Sequence, residues 1–236
     1  RQTARFITAK VYGFFVNEDV PEARLAQLSD SFYRSGYNIR QLLRTIFTAD
    51  WFYDPRNIGT RIKSPVELLV GIRRTLPMEL ADPPAQLYFQ KILGQVLFYP
   101  PNVAGWPGGK NWIDSSSLMY RMRLPQVLAL KESFQVATKP DDDQDMGRAA
   151  AQMKQQGRRI GGRFVETEIN WQLPMQQLKL VSREQLLPAI AALLWQGDRV
   201  NKRYTIAEAY LDAGSRERYV QSAIIHLMCT PEYQLC

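Results

Sequence analysis

Asn38-Ile39-Arg40-Gln41-Leu42-Leu43-Arg44-Thr45-Ile46-Phe47 is the most regular stretch of this 236-residue sequence, and its reading sets the fold class. Ile39, Leu42, Leu43, Ile46 and Phe47 fit the i, i+3, i+4, i+7, i+8 spacing of an amphipathic α-helix, with Asn38 as its cap. Upstream, residues 4–15 place Ala4, Ile7, Val11 and Phe14 on one helical face, with Phe6 and Phe15 beside it. Pro21 opens a second helix whose stripe is Leu25, Leu28 and Phe32 and whose stop is Gly36. Downstream, Thr48 is read as a cap for a short turn carrying Trp51 and Phe52. Three helices joined by short loops within about 50 residues read as a compact bundle.

The same pattern continues. Ser64-Pro65-Val66-Glu67 is a capping box with proline at the first helical position, ahead of Leu68, Leu69 and Ile72. Lys63, Ser64 and Glu67 together could suggest chemistry, but the cap is the preferred reading. Pro83-Pro84 begins a helix using Leu87, Tyr88, Leu93, Val96 and Leu97 that runs to Pro100. Asp114 or Ser115 caps the next, with Leu118, Met119 and Met122 inward, a kink or restart at Pro125, and apolar spacing to Phe134. Ser182-Arg183-Glu184-Gln185 is a second capping-box pattern before Leu186, Leu187, Ile190, Leu193 and Leu194. Thr205–Leu211 and Ser215–Met228 complete the helices. The expected fold is all-α, an irregular multi-helix bundle with a rigid Gly/Pro/Trp-rich loop. Its divisions are a bundle over 1–137, a long and partly mobile connection or insertion over 138–180, and helices over 181–236 that pack back on the bundle. The acidic run Asp141-Asp142-Asp143 lacks the glycine and glutamate of an EF-hand loop and reads as solvated. A faint echo links Thr48-Ala49-Asp50-Trp51 with Thr230-Pro231-Glu232-Tyr233, each following an apolar helix.

Composition limits function. With 45% apolar and 11% aromatic residues the chain can bury a real core, and 22% charged residues is an ordinary globular balance. No run approaches the roughly 18 apolar residues of a membrane span. Net charge is +7. The arginines (Arg40, Arg44, Arg73, Arg74, Arg121, Arg123, Arg158, Arg159, Arg163) are scattered among acidic residues, which favours a solvated mixed surface over a nucleic-acid interface. The sequence starts at Arg1, with no signal segment, and is read as a fragment or processed product. Cys229 and Cys236 would lie about 10.5 Å apart on a straight helix, too far to bridge. Pro231 breaks such a helix, so a disulfide stays open. Two cysteines and His226 cannot assemble a usual zinc site. His226 lies between Ile225 and Leu227 on an apolar helix. Ser115-Ser116-Ser117 reads as helix-start chemistry, and Glu166 with Glu168 falls in the weak connection. Neither metal nor cofactor is expected.

Pro100-Pro101-Asn102-Val103-Ala104-Gly105-Trp106-Pro107-Gly108-Gly109-Lys110-Asn111-Trp112 is the least ordinary segment. Its glycines permit conformations barred to other residues and its prolines stiffen the rest. It contains neither phosphate-binding glycine pattern. Asn102, Trp106, Gly108, Gly109, Lys110, Asn111 and Trp112 form the candidate binding set, an aromatic platform with polar edges suited to a sugar or a peptide. The competing and preferred reading has both tryptophans packed down between helices.

Thr3-Ala4-Arg5-Phe6-Ile7, Lys63-Ser64-Pro65-Val66-Glu67, Pro101–Gly109 with Asn111-Trp112-Ile113, and Thr230-Pro231-Glu232-Tyr233-Gln234-Leu235 together resemble the bacterial family catalogued as domain of unknown function 1800 (DUF1800), in its C-terminal half. The resemblance covers roughly residues 1–135 and the last thirty. It implies a large, mostly helical, exported protein. Its gene would often accompany one for an uncharacterised family similar to the sulfatase and alkaline-phosphatase fold. It supplies no catalytic residue set. Export would put Cys229 and Cys236 in an oxidising compartment. The expectation is an exported helical scaffold or binding protein for a protein partner or a glycan. The alternative is part of a hydrolase-type enzyme completed by a missing N-terminal half.

Overall fold

Local sequence chemistry places the helix starts. In the computed structural model, which describes residues 1–80, 84–130, 167–196 and 208–236, Asn38 Oδ1 accepts from Gln41 N at 3.1 Å, and Ser215 Oγ accepts from Arg218 N at 3.1 Å. Ser64 Oγ accepts from Glu67 N at 3.3 Å while Glu67 returns a carboxylate to Ser64 N at 2.7 Å, so the capping box is complete. The chain is predominantly α-helical and divides into two compact units, Arg1–Arg61 with Cys236, and Ile62–Leu235. That division falls inside the stretch read from sequence as a single bundle.

The first unit contains α1 (Gln2–Phe15), α2 (Glu22–Arg34) and α3 (Ile39–Phe47), followed by 3₁₀ turns at Asp50–Tyr53 and Pro55–Asn57. Its core is Ala4, Tyr12, Val16, Leu28, Phe32, Leu42 and Ile46. The buried row of α1 is Ala4, Thr8 and Tyr12, so of the expected Ala4–Ile7–Val11–Phe14 face only Ala4 is fully buried. Ile7 and Val11 are only partly buried, and Phe6, Phe14 and Phe15 are exposed. A small residue at position 4 admits α2 closely, and Tyr12 then fills the space about two turns on. Gly36 ends α2 at φ +66°, as its sequence position suggested, and Tyr37 shares the left-handed conformation at φ +64°. Thr48 does not cap forward: its hydroxyl donates back to Arg44 O at 2.8 Å. Thr230 does the same to Leu227 O at 2.8 Å. The sequence echo is therefore a repeated way of finishing a helix before a 3₁₀ turn.

The second unit runs α4 (Pro65–Thr75), β1 (Met78–Leu80), α5 (Pro84–Ile92), a 3₁₀ turn at Gly109–Trp112, α6 (Ser115–Leu130), β2 (Thr167–Ile169), α7 (Gln172–Gln177), α8 (Leu186–Leu194), α9 (Arg216–Met228) and a 3₁₀ turn at Pro231–Gln234. Leu68 and Ile72 of α4, Phe89 of α5, Leu124 and Val127 of α6, Leu186 and Ile190 of α8, and Val220 and Leu227 of α9 make its core. The strands were not expected. They pair antiparallel, Met78 opposite Ile169 and Leu80 opposite Thr167. Residues 167–180 thus carry a strand and a helix, and Leu178 joins the core.

Three expectations for this unit are corrected. Helix α5 stops at Ile92, because Gly94 at φ +86° terminates it well before Pro100. Leu87 and Leu97 are exposed, and Phe89 and Ile92 are buried in their place. Ser182 makes no side-chain cap, and a 3₁₀ turn at Arg183–Gln185 precedes α8. Pro125 sits inside a continuous α6, whose buried row is Ser117, Arg121, Leu124, Val127 and Leu128, with Met119 exposed. The acidic run at 141–143, Glu166, Pro83, Phe134 and the start of the helix expected from Thr205 lie outside the described residues.

Candidate functional site

The Pro100–Trp112 loop builds its shape from its own side chains. Asn102 Oδ1 accepts from Ala104 N at 2.8 Å, and Gly105, at φ +86°, donates its N–H to Asn102 O at 3.0 Å. Asn111 Nδ2 donates to Gly108 O at 3.0 Å across the 3₁₀ turn, where Gly109 takes φ +61°. Ser117 Oγ then ties Trp112 O to the start of α6 at 3.0 Å. The candidate residues therefore fall into two hydrogen-bonded turns, 102–105 and 108–112, and among the described residues no side-chain hydrogen bond joins them. Asn102, Gly108, Lys110 and Asn111 are exposed, and Trp106, Gly109 and Trp112 are half-buried. Neither tryptophan lines any of the cavities described below. The asparagines spend their polar groups on the loop itself, which suits a rigid form.

The segments flanking the loop hold a denser constellation. Arg121 is wholly buried, although the sequence grouped it with the scattered surface arginines. Its Nε donates to Gln234 Oε1 at 3.1 Å and its Nη2 donates to Lys63 O. Burial pulls its pKa down to about 10, opposed by the charge of Glu67. Lys63 Nζ donates to Tyr233 O at 2.7 Å and lies 3.9 Å from the centre of the Tyr233 ring. Burial pushes the Tyr233 phenol up to about 12, tempered by a hydrogen bond with Thr75. Ile62 and Leu235 form an isolated antiparallel bridge beside them. The Lys63–Glu67 and Thr230–Leu235 motifs thus meet on Arg121. The node cross-links the start of α4, α6 and the 3₁₀ turn at Pro231–Gln234.

A cavity of about 370 Å³ opens in the first unit, lined by Tyr12, Asn17, Asp19, Pro21, Arg24, Trp51, Asp54, Arg56 and Asn57. Tyr12, 1% exposed, stacks on Trp51 at 5.8 Å between ring centres and 24° between planes. The Arg24 guanidinium lies 4.1 Å from the centre of the Trp51 ring. Asn57 Nδ2 donates to Trp51 O at 2.8 Å and fixes the turn that carries the indole. Asp54 accepts from Arg56 Nε at 3.0 Å and Nη2 at 2.7 Å, and from Arg56 N at 3.0 Å. That fork of donors holds the Asp54 carboxyl down to about 2. Asn17 Oδ1 accepts from Asp19 N at 3.0 Å and leaves its amide available.

Two smaller cavities lie in the second unit. One, of about 120 Å³, is apolar apart from Arg73, Gln86 and Gln90, with Val66, Phe89 and Leu97 among its walls; the other, of about 220 Å³, lies between α7, α8 and α9. His226 is half-buried, with the Tyr210 ring 6.2 Å away. Glu168 is exposed on β2. Both cysteines are half-buried thiols. Among the described residues no cluster of three His, Cys, Asp or Glu is placed to hold a metal, and no helix is long and apolar enough to cross a membrane.

The sequence singled out Trp51 only as a turn residue and gave Arg24, Asp54 and Asn57 no role. The polar turn Asp54-Pro55-Arg56-Asn57 directly after a tryptophan was the available signal. Comparison with known proteins gives one result. The family model described as "Protein of unknown function (DUF1800)" matches residues 1–235, and the chain belongs to that family. No curated protein and no solved structure matches.

Proposed function

For a member of a family whose description assigns no activity, we propose a binding protein that holds a small saccharide in the cavity of its first unit, not an enzyme. One observation carries this reading: the 370 Å³ cavity combines a stacked aromatic pair with amides, carboxylates and guanidinium groups in one concave space. Its volume lies within the roughly 300–1,000 Å³ range of ligand pockets. An indole edge and ring contact the apolar C–H faces of a sugar, while mixed donors and acceptors match its hydroxyls. The lining charges (Arg24 and Arg56 against Asp19 and Asp54) balance formally, which suits a largely polar ligand better than a polyanion.

The reading includes export, in line with the family resemblance, and fractionation of host cells tests that part. Isothermal titration of the full chain against a panel of oligosaccharides tests the site. Trp51→Ala is expected to abolish binding that Trp106→Ala and Trp112→Ala leave intact. Absence of binding across the panel, or loss in the loop variants alone, overturns the assignment. A second reading, a protein partner at the loop, is favoured by Phe98 and Val103, which are 95% and 109% exposed. Phe98 also holds a left-handed backbone at φ +62°, a conformation costly for an aromatic residue.

A further inference from the structure

We infer that the ligand of the first-unit cavity is an acidic saccharide whose carboxylate is received by Arg24, an inference that rests on the saccharide reading above. The two arginines of the cavity differ in how they are spent. Arg56 gives Nε and Nη2 to the two oxygens of Asp54, so that pair is closed. Arg24 has no ion pair or hydrogen bond from its guanidinium among the described residues, yet it is held against the Trp51 ring at 4.1 Å. A cation–π contact holds the guanidinium at the ring without using any of its five N–H donors. Asp54 acts on Arg24 through space, but its oxygens are already taken.

The remaining carboxylate of the lining, Asp19, is exposed. The lining therefore presents one unspent guanidinium edge beside an aromatic ring. A planar, singly charged carboxylate matches that edge with two parallel N–H···O bonds. A dianionic phosphate fits less well, since Asp54 and Asp19 stand in the same space and only one guanidinium is unspent. Asn17 and Asn57 in the lining suit ring hydroxyls better than the apolar side chains of a peptide. The class is thus a uronic-acid-type sugar, with its carboxylate on Arg24 and its ring beside Trp51.

The test titrates the full chain with galacturonic acid, its neutral methyl ester and a peptide with a free terminal carboxylate. The acid is expected to bind at least tenfold more tightly than the ester. Arg24→Gln, checked for an unchanged thermal melt, is expected to bring the acid down to the level of the ester and to leave the ester within about twofold. Raising sodium chloride in the wild-type protein is expected to weaken the acid and spare the ester, a result that needs no variant to fold. Equal binding of acid and ester overturns the role of Arg24 and leaves the saccharide reading standing. Tighter binding of the peptide, or competition by inorganic phosphate as strong as that by the acid, overturns the assignment of ligand class. Binding of none of the three overturns the carboxylate inference, and retained binding of other neutral sugars then separates that failure from failure of the saccharide reading itself.

Discussion

In the first unit the Arg24 guanidinium lies 4.1 Å from the centre of the Trp51 ring and makes no hydrogen bond among the described residues, whereas in the second Arg121 is wholly buried and feeds Gln234 and Lys63. Each is held by contacts made from a distant part of the chain. What differs is the fate of the N–H donors. Arg121 spends Nε and Nη2 on acceptors within the protein, although its buried Nη1 finds no partner, a costly omission at that depth. Arg24 is positioned by a contact that consumes none of its donors. Burial with donors committed to the protein's own acceptors marks an arginine that holds a fold together, while fixation with none committed marks one poised for something else. The family motifs that stand out in sequence converge on Arg121, and the cavity that invites a ligand forms around residues the motifs pass over.

The largest expected effect breaks the second half of the contrast. Arg121→Ala removes the donor shared by Gln234 and Lys63 and leaves a cavity, and is expected to cost about 3–5 kcal/mol, read as a lower urea midpoint at unchanged slope. Arg24→Gln, by contrast, should shift that midpoint by less than about 0.5 kcal/mol. Equal losses in the two variants would erase the distinction.

A pH titration sharpens it. The Tyr233 phenol ionises near 10 when unfolded and at about 12 when folded. The folded state holds that proton more tightly, so the contribution is full below pH 10 and is lost as pH rises through 12. Arg121, lowered by burial, pushes the other way over the same range. The informative quantity is therefore the difference between wild type and Tyr233→Phe, which should show an alkaline loss on the order of 2 kcal/mol only in wild type. At the acid end the Asp54 carboxyl, held down to about 2, keeps its stabilising contribution above about pH 4 and loses it as pH falls through 2. Binding of an acidic sugar should fail earlier, near the ordinary carboxylate pKa of the sugar itself at about 3.5. Loss tracking pH 2 instead would assign the effect to Asp54.

Ser64→Ala should remove half of the capping box and cost about 1 kcal/mol by thermal melt. Smallest of all, Val103→Ser should change stability by less than about 0.5 kcal/mol, since the side chain is fully exposed.

The helix starts were legible because caps are local. Asn38, Ser64 and Asp114 each act within three residues, and Asp114 Oδ1 accepts from Ser116 N and Ser117 N at 2.9 Å. The helical class follows from such signals together with apolar spacing. Buried faces were less legible, as α1 shows, because a helix with apolar residues on several sides is oriented by its neighbours and not by its own pattern. Arg121 could have been found: Leu124, Val127 and Leu128 extend backward at helical spacing onto it and Ser117. An arginine in an apolar row asks for acceptors, but these stand at positions 63 and 234, where no local rule points. The cavity was hidden for the same reason. Its walls come from the end of α1, the start of α2 and the turn after α3, and only folding brings Arg24 over Trp51.

The meeting of residues 62–63 with 234–235 also sets an order of events in time. Lys63 reaches Tyr233 across 170 positions of chain, and Arg121 reaches Gln234 across 113. Contacts so far apart in sequence slow folding. On a ribosome adding about 5–20 residues per second, Arg121 waits roughly 6–23 s before its farther acceptor exists. Through that interval α6 carries a cation in the middle of an apolar row with Lys63 O already made and Gln234 still to come. The second unit can close only at its final turn, and chains halted before residue 233 are the ones that chaperones and proteases should meet most often.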